Sequence, residues 1–304
     1  MNQFEDMQAF VRIVEAGSIT KAAEQMNTVK SSVSRRLSEL EKRLGVTLIV
    51  RTTRNQTLTE NGQSYYQQCL RIIDDVAEIE SNMSSDHQAL KGKIRVSAPL
   101  SFGLAHLAPA LREFNHLHPD IFFDVDFNDR KVDLVEEGFD LAIRISNLAD
   151  STLMARKITQ ISLVLCASSA YIEKYSLPIT PLDLKRGHVK VNYCEAAENW
   201  SFKLHSQKEL NVKVPTVLTS NNGDFLCQAA IDGLGLIFTP DFIVYKAIKN
   251  GQLRPILSEF YDNIDIPAYA VYPQNKHLSQ RVRALIDFLV DYYGDQPYWQ
   301  LPKS

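Results

Sequence analysis

The sequence predicts a chain of two parts, an N-terminal all-α part that carries one small β-hairpin and a longer C-terminal α/β part. Two observations predict this division. Apolar residues recur at steps of three and four through most of the first 83 residues, as they do on amphipathic helices. From residue 92 onward, segments of strand and helix character alternate. The length of 304 residues fits two or three domains.

Composition narrows the classes of protein that the chain can represent. A hydrophobic content of 45% and a charged content of 23% are typical of globular domains with a sizeable core. No apolar stretch approaches the roughly 18 residues of a membrane span, and the opening MNQFEDMQAF lacks a secretory signal. The cysteines form no CxxC pair, which favours reduced thiols; they are Cys69, Cys166, Cys194 and Cys227. We therefore expect a cytoplasmic protein that does not associate with membranes.

The segment VKSSVSRRLSELEKRLG, residues 29–45, predicts an amphipathic helix with a basic outer face. One stripe of this helix is apolar: Val29, Val33, Leu37, Leu40 and Leu44. Ser31, Arg35 and Lys42 fall opposite that stripe. Residues 30–54 contain seven basic and two acidic residues, although the chain as a whole has a net charge of −3. A local basic block on an acidic chain favours contact with nucleic acid, the alternative being a solvated surface helix.

The residues before this helix predict a helix-turn-helix. Phe4, Met7, Phe10, Val11 and Val14 share one face of a first helix, which Gly17 ends. Ser18 is a typical N-cap for the short helix ITKAAEQM, and Asn27 suits the turn that follows. The N-terminal turns of the second helix of such a unit enter the major groove. Ser31, Ser32, Ser34 and Arg35 would then face base edges, with Arg35 as the bidentate reader of a guanine.

The stretch LGVTLIVRTTRNQTLTENG predicts a wing beside the helix-turn-helix. Leu48 and Val50 precede a polar turn, and Thr57 to Thr59 follow it, which is typical of a small β-hairpin. Arginines at its tip favour contact with phosphates or the adjacent minor groove. The residues predicted to contact DNA are Lys30, Ser31, Ser32, Ser34, Arg35, Arg36, Arg51, Thr52 and Arg54.

The stretch GSITKAAEQMNTVKSSVSRRLSELEKRLGVTLIVRTTRNQTLTENG resembles the DNA-binding domain of LysR-type transcriptional regulators. The matching features are GS before the short helix, AA within it, VSR, LE followed by LG, RTTR and LTENG. Many members have Gln-Pro-Ala before VSR, whereas this chain has Lys30, Ser31 and Ser32, a departure that concerns base readout at those positions. The resemblance implies a sequence-specific DNA-binding regulator of transcription.

The stretch QSYYQQCLRIIDDVAEIESNM predicts a long helix with a seam at heptad spacing. The seam residues are Tyr65, Cys69, Ile72, Val76, Ile79 and Met83. A helix packed into its own core is one interpretation. We prefer a helix that pairs with its symmetry mate, because a dimer matches a two-fold operator and the resemblance implies the same. The predicted domains are then the winged helix-turn-helix at 1–60, the dimerisation helix at 61–87 and a linker at 88–92.

The remaining chain predicts a largely parallel sheet covered by helices. The strand-like segments are KIRVSAP, IFFDVDF, FDLAIRI, ISLVLCAS, HVKVNY, TVLTSN, GLIFTP and PAYAVYP. The helix-like segments are SFGLAHLAPALREFNHLHP, KVDLVEEG, NGDFLCQAAIDG and LSQRVRALIDFLVDYY. GKIRVSAP, FDLAIRI and AAIDGLGLIFTP resemble the effector domain of the same regulators. That resemblance implies two Rossmann-like lobes, as in type II periplasmic binding proteins. Mapped onto this chain, lobe I is 92–164 with 268–294, and lobe II is 165–267.

Three residues predict an effector site in the cleft between the lobes. Ser101, and Asn221 with Asn222, each follow a strand and open a helix, where free N–H groups favour an anion such as a small carboxylate. Simple N-capping is the alternative. Further lining candidates are Leu100, Phe102, Asn147, Asn192, Tyr193 and Trp200, with core packing the expected role of Phe102 and Trp200. An acyl-chain or aromatic effector is a further interpretation.

The sequence contains little that is typical of a catalytic, cofactor or metal site. Phe238 stands where GLGLIF would need the third glycine of a dinucleotide fingerprint, and His116 and His118 have no third ligand nearby in sequence. No GxSxG, P-loop or HExxH motif occurs. We therefore predict no enzyme, no catalytic residue, no cofactor and no metal.

The prediction as a whole is a ligand-responsive transcriptional regulator. Its predicted partners are double-stranded promoter DNA, a small-molecule effector and further copies of the chain in a homodimer or homotetramer. RNA polymerase is a further candidate partner. The resemblance implies that effector binding changes oligomer geometry and DNA bending. The alternative is a cytosolic small-molecule enzyme or solute-binding protein with a basic helical dimerisation domain.

Overall fold

A computed structural model describes residues 2–51, 56–83, 89–146, 153–194, 196–203, 209–261, 265–274 and 278–301. The chain separates into two compact units. The first comprises Met1–Gly92 with Val135–Gly138, and the second comprises Lys93–Leu134 with Phe139–Ser304. No helix among these described ranges is both long and apolar enough to cross a membrane.

The first unit contains the predicted helix-turn-helix, hairpin and long helix. Its elements are α1 (Gln3–Ala16), α2 (Ile19–Gln25), α3 (Lys30–Leu44), β1 (Ile49–Arg51), β2 (Gln56–Leu58) and α4 (Glu60–Met83). β1 and β2 are antiparallel, with Ile49 opposite Leu58 and Val50 opposite Thr57. The predicted wing is therefore confirmed as a hairpin.

Local signals set the helix ends as the sequence predicts. Gly17 has φ of 65° and Gly45 has φ of 71°, the left-handed conformation that ends α1 and α3. Ser18 accepts a hydrogen bond from the Lys21 N–H and so caps α2. Asn27 has φ of 49° in the turn between α2 and α3.

The apolar stripe of α3 packs on α1, α2 and the hairpin. Val33, Leu37 and Leu40 are fully buried in a cluster with the other members Phe10, Val11, Ile13, Ile19, Ala22, Ala23, Leu48, Ile49 and Cys69. Val29 is 66% exposed because it precedes the first turn of α3, and Leu44 is exposed at the last turn. The predicted stripe is therefore wrong at its two ends and right between them.

A carboxylate holds the hairpin against α3. Oε1 of Glu41 accepts hydrogen bonds from the N–H groups of Leu48 and Ile49 at 2.8 and 3.1 Å. On the other side, a side chain at Gly62 would bring a Cβ within 2.0 Å of the Leu48 carbonyl oxygen. This backbone contact fixes where α4 begins relative to the wing.

The second unit alternates strands and helices around one large sheet, and β8 and β9 form a separate antiparallel pair. Its strands are β3 (Gly92–Ala98), β4 (Ile121–Phe127), β5 (Leu141–Ile145), β6 (Met154–Ala167), β7 (Lys190–Tyr193), β8 (Asn199–Lys203), β9 (Glu209–Lys213), β10 (Thr216–Ser220), β11 (Leu236–Pro240), β12 (Arg254–Pro255) and β13 (Asp265–Tyr272). Its helices are α5 (Leu100–Phe102), α6 (Ala108–Leu117), α7 (Ser169–Tyr175), α8 (Gly223–Ile231), α9 (Asp241–Lys249) and α10 (Gln280–Tyr293), with a π-helical turn at Gly103–Leu107 and 3₁₀ turns at Pro181–Lys185 and Ser258–Phe260.

The sheet is mixed, so the prediction of a largely parallel sheet is wrong. Its order is β10-β7-β11-β6-β13-β5-β3-β4, with β12 also on β6. β10, β7 and β11 are parallel to one another, and β3 is parallel to β5. In the middle, β13 is antiparallel to both β5 and β6, and β11 is antiparallel to β6. Alternating strands and helices predict parallel pairing only between strands that a helix connects, and these central pairs join strands far apart in sequence.

The segment KVDLVEEG is a turn in the structure, so the predicted helix there is wrong. Val132 and Leu134 are both buried, whereas Val135 is exposed. Burial two residues apart is the spacing of extended chain. Both buried residues join a cluster with Phe139, Ala142 and Val271. The final helix α10 buries Val282, Leu285 and Leu289 on one face, with Tyr292 of the same face half-buried.

Candidate nucleic-acid interface and effector site

The outer face of α3 presents basic and hydroxyl side chains to solvent. Lys30, Ser31, Arg35 and Lys42 are exposed, and Ser32 and Ser34 are half-buried. Arg35 is 75% exposed, and its Nε lies 3.9 Å from Oε1 of Glu39, one turn further along the helix. Such a loose exposed pair leaves the guanidinium available to a base edge.

Arg36 has acidic partners within its own unit, and its contact with DNA stays a prediction. Its guanidinium lies 2.6 Å from Oε2 of Glu5 and 3.3 Å from Oδ1 of Asp6, both on α1. Asp6 has no exposed side-chain surface, and Nη2 of Arg43 lies 3.8 Å from its other oxygen. The hydrogen bond from Arg36 lowers the pKa of Glu5 and raises the pKa of Arg36 itself. Arg36 therefore ties α3 to α1, a role that the helical spacing alone did not reveal.

The predicted wing contacts lie mostly outside the described residues. Arg51 is the last residue of β1, and its backbone pairs with Gln56. Thr52 and Arg54 lie outside the described residues. Their contact with DNA stays a prediction.

The predicted seam of α4 divides into two parts. Tyr65 packs against the core of the first unit, with its ring 5.5 Å from that of Phe10, and Cys69 is fully buried there. Cys69 has no surface left for a second copy, which corrects its predicted place in the seam. Further along, Ile72 and Ile79 are exposed and Val76 is half-buried. The backbone of Met83 closes the helix.

In the second unit, strand register brings several predicted effector residues together. Asn192 lies opposite Thr219 and Tyr193 opposite Ser220, at the carboxyl ends of the parallel strands β7 and β10. Asn221 and Asn222 follow directly on β10. Ligands of open α/β sheets bind beyond such strand ends.

Ser101 meets the start of α8. Its hydroxyl donates a hydrogen bond to Oδ2 of Asp224 at 2.7 Å. The side chain of Asn222 accepts from the Phe225 N–H at 2.8 Å, so the N-capping role expected as an alternative is confirmed for Asn222. A Cβ at Gly223 would lie 2.4 Å from Cδ1 of Ile243 and 3.5 Å from the Ser101 hydroxyl. Glycine thus allows α5, α8 and α9 to meet closely at this edge.

Sequence reasoning missed two carboxylates at this edge. Asp224 stands in the first turn of α8, and Oδ1 of Asp129 accepts a hydrogen bond from the Leu100 N–H at the start of α5. Acidic residues are favoured in the first turn of a helix because they lie at the positive end of its dipole, and this signal could have identified Asp224. Both helix starts already hold a carboxylate, which weakens the electrostatic attraction for an added anion.

Phe102 and Trp200 lie in hydrophobic cores, the role expected for them from the sequence. Phe102 is fully buried, and its ring contacts those of Phe242 and Trp299 at 5.3 and 5.8 Å. Trp200 is buried beneath Nζ of Lys190, which lies 5.1 Å from its ring centroid. Neither side chain is free to line a cleft. Asn147 lies outside the described residues.

Thiol and metal chemistry find no assembled site in the described part of the chain. Burial raises the pKa of Cys69 and of Cys227 to about 11, and it also raises the pKa of Cys166. These thiols are therefore protonated at neutral pH. No group of three or more His, Cys, Asp or Glu among the residues described could hold a metal ion.

Two family models match the chain in series. The model described as "Bacterial regulatory helix-turn-helix protein, lysR family" matches residues 4–63. The model described as "LysR substrate binding domain" matches residues 87–294.

Full-length relatives cover nearly the whole chain. An uncharacterized HTH-type transcriptional regulator of Haemophilus influenzae is 36% identical over 94% of this chain and 99% of its own length. The HTH-type transcriptional regulator CrgA of Neisseria meningitidis is 32% identical over 96% and 97%. A solved structure of CrgA superposes with a TM-score of 0.62 at 31% identity, covering 96% of this chain and 99% of that one. The full-length Vibrio cholerae virulence activator AphB gives a TM-score of 0.60 at 25% identity, with coverage of 96% and 99%.

Proposed function

Because the chain belongs to the LysR family of transcriptional regulators, we propose that α3 reads a specific operator in duplex DNA and that the second unit responds to a small carboxylate. The chain is a transcriptional regulator with a helix-turn-helix and an effector-binding domain, and not an enzyme.

The exposed face of α3 carries the DNA-reading proposal. Val33, Leu37 and Leu40 are buried, so the helix turns Lys30, Ser31 and Arg35 outward at its N-terminal end. In a helix-turn-helix that end enters the major groove. Arg35 makes the bidentate contact to a guanine, Ser31, Ser32 and Ser34 contact neighbouring base edges, and Lys30 contacts phosphate. The wing residues Arg51, Thr52 and Arg54 add phosphate contacts.

Fluorescence anisotropy tests this reading. The probe is duplex DNA from upstream of the protein's own gene, with a scrambled duplex beside it, across a salt series. We expect tighter binding to the native fragment than to the scrambled one. For each tenfold increase in salt concentration, log Kd should rise by about 0.9 for every phosphate that the protein contacts. Arg35→Ala should reduce the preference by about 1–3 kcal/mol, or roughly 5- to 150-fold.

Arg12→Ala is the matched control. Arg12 is an exposed arginine on α1, 2.9 Å from Glu15, so its replacement removes the same charge away from the reading face. Preference should survive in this variant. Undiminished preference in Arg35→Ala would show that another residue reads the operator.

The edge formed by Ser101, Asn192, Asn221 and Asn222 supports the effector proposal. These residues offer hydroxyl and amide groups at strand ends and helix starts, where a carboxylate finds donors. Asp224 adds a requirement, because an unaccompanied anion would be repelled by its carboxylate. The effector we propose is therefore a small carboxylate that also carries an amino or hydroxyl donor for Asp224.

Differential scanning fluorimetry of the full chain tests the effector class. Pairs of small carboxylates with and without an amino or hydroxyl group are compared. A ligand at about 100 times its Kd stabilises the folded state by about 2.7 kcal/mol, so binders should raise the Tm. Ser101→Ala should remove the shift, whereas Ser169→Ala, at an exposed serine of α7, should retain it. A shift that depends only on the carboxylate and is unchanged in Ser101→Ala contradicts this site.

Assembly and location complete the proposal. The exposed Ile72 and Ile79 support pairing of α4 between two copies, and a homotetramer built from two such pairs would bend the DNA according to the effector bound. Contact with RNA polymerase would follow from binding at a promoter. A partner in duplex promoter DNA supports a location in the cytoplasm.

A further inference from the structure

The residues after α10 pack against helices on two sides of the proposed effector site. These residues, Gly294–Leu301, are here called the C-terminal segment. On one side lie α5 and the π-helical turn, which follow β3, and on the other lie α8 and α9. Trp299 is 1% exposed, and Leu301 packs against the cluster that α8 and α9 form with the sheet.

Trp299 is the centre of an aromatic cluster. Its ring lies 4.5 Å from His106, 5.3 Å from Tyr293 and 5.8 Å from Phe102, centroid to centroid. Phe102 in turn contacts Phe242 of α9 edge-on at 5.3 Å. A single segment of chain thereby touches the α5 side through Trp299 and the α8–α9 side through Leu301 and Tyr298, whose ring lies 6.0 Å from that of Tyr245 on α9. Such dense packing transmits a displacement rather than absorbing it.

His106, in the π-helical turn, is hydrogen-bonded both to the C-terminal segment and to α9. The Tyr298 hydroxyl lies 2.6 Å from its Nδ1, and its Nε2 lies 3.1 Å from the carbonyl oxygen of Phe242. A neutral ring satisfies both contacts when Nε2–H donates to the carbonyl and Nδ1 accepts from the hydroxyl. His106 is fully buried, and its bond to the Phe242 carbonyl is shielded from water, whereas Tyr298 is 55% exposed.

The aromatic cluster is connected along the chain to both sides of the proposed effector site. Ser101 precedes Phe102, and Ile243, which follows Phe242, packs against Gly223 beside Asp224. We propose that the C-terminal segment positions Ser101 against Asp224, with Trp299 as the positioning residue that sets the opening between the α5 side and the α8–α9 side. This inference rests on the proposed effector site, and it assigns a role to a segment that follows the last helix of the sheet domain.

Spin-label distances between the two sides test the inference without a ligand or DNA. The labels are placed at Arg112→Cys on α6 and Gln228→Cys on α8, both exposed positions, in a Cys194→Ser background. Labelled chain is mixed with excess unlabelled chain, so that only distances within one chain are measured. We expect a narrow distribution with the native segment. Trp299→Ala should broaden it about twofold, because the two sides then sample more than one opening.

Controls separate positioning from general destabilisation. Trp299→Phe keeps a ring in the cluster and should restore most of the narrow distribution. Gln296→Ala, at an exposed position of the same segment, should leave it unchanged. Tyr298→Phe removes only the hydroxyl that bonds His106, and it should broaden the distribution to an intermediate extent even where Trp299→Ala fails to fold. A narrow distribution in every folded variant, with only a lower Tm, overturns the inference while leaving the effector site itself untouched.

Discussion

The guanidinium of Arg36 on α3 lies 3.3 Å from the carboxylate of Asp6 on α1, and Asp6 is 1% exposed. A buried carboxylate that loses its partner keeps its desolvation cost without the compensating attraction. The contact therefore holds the reading helix in place, although α3 and α1 are also joined through apolar packing.

Arg36→Ala should destabilise the first unit, whereas Arg35→Ala should not. We expect a loss of about 2 kcal/mol in the free energy of unfolding for Arg36→Ala, less than for a fully buried pair because Arg43 remains near Asp6. Arg35 is exposed, so its removal should change stability by less than about 0.5 kcal/mol. Urea unfolding followed by circular dichroism measures both. Equal stability of the two variants would contradict the structural role of Arg36.

Two buried tyrosines should respond oppositely to loss of the hydroxyl. The hydroxyl of Tyr293 is buried without a hydrogen-bond partner among the described residues, whereas that of Tyr171 lies 3.1 Å from Nδ1 of His188 and donates to the Val189 carbonyl. Tyr293→Phe should leave stability unchanged or raise it by about 1 kcal/mol, because an unpaired polar group leaves the core. Tyr171→Phe should lower stability by about 1–2 kcal/mol. Denaturant unfolding measures the free energy of unfolding of both variants. A clear loss of stability in Tyr293→Phe would indicate that its hydroxyl has a hydrogen-bond partner.

Local structure followed from sequence wherever neighbours along the chain decide it. Gly17, Ser18 and Asn27 sit in the turn and cap conformations that their residue types favour. The hairpin was predicted from the polar turn between two strand-like stretches. In each case the determining contact lies within a few residues, so a one-dimensional pattern contains it.

Contacts between distant residues escaped the same reasoning. Arg36 lies on the polar side of a helical wheel, and only the packing of α1 shows that its neighbour is Asp6. Ser101 and Asp224 are 123 residues apart, and Trp299 reaches His106 across a still longer separation. The antiparallel place of β13 between β5 and β6 likewise depends on chain crossovers, which periodicity does not encode.

Acid should destabilise the second unit through His106. Burial lowers the pKa of His106 to about 4, against the hydrogen bond to the Phe242 carbonyl, with Lys246 adding repulsion and Asp224 a weaker attraction. Three tyrosine rings, Tyr245, Tyr293 and Tyr298, also face His106 or its cluster. Between about pH 6.5 and about pH 4 the unfolded chain therefore binds a proton that the folded chain excludes. Stability contributed by this group falls as pH decreases through that window, and it changes no further below it.

The contribution of His106 is isolated by comparing how the free energy of unfolding depends on pH in the wild-type protein and in His106→Phe. We expect the wild-type protein to lose about 2 kcal/mol more than His106→Phe between about pH 7 and about pH 5. His188, whose pKa burial also lowers, and the carboxylates contribute to both proteins and cancel. The measurement is the free energy of unfolding in denaturant across pH. Parallel slopes in the two proteins would show that His106 is accessible to protons in the folded state.

The division of the α4 seam predicts that association and stability can be changed separately. Ile72→Lys and Ile79→Lys place charges at exposed apolar positions and should raise the Kd of self-association at least about tenfold, since a charge replaces apolar surface in both copies. Gln63→Lys, at an exposed position nearer the start of the helix, is the matched control for added charge. Cys69→Ser should instead lower the Tm of the first unit without weakening association, because its thiol is buried within one chain. Sedimentation velocity over a concentration series, with thermal unfolding beside it, measures both. Unchanged association in both lysine variants would place the dimer contact on another surface of the chain.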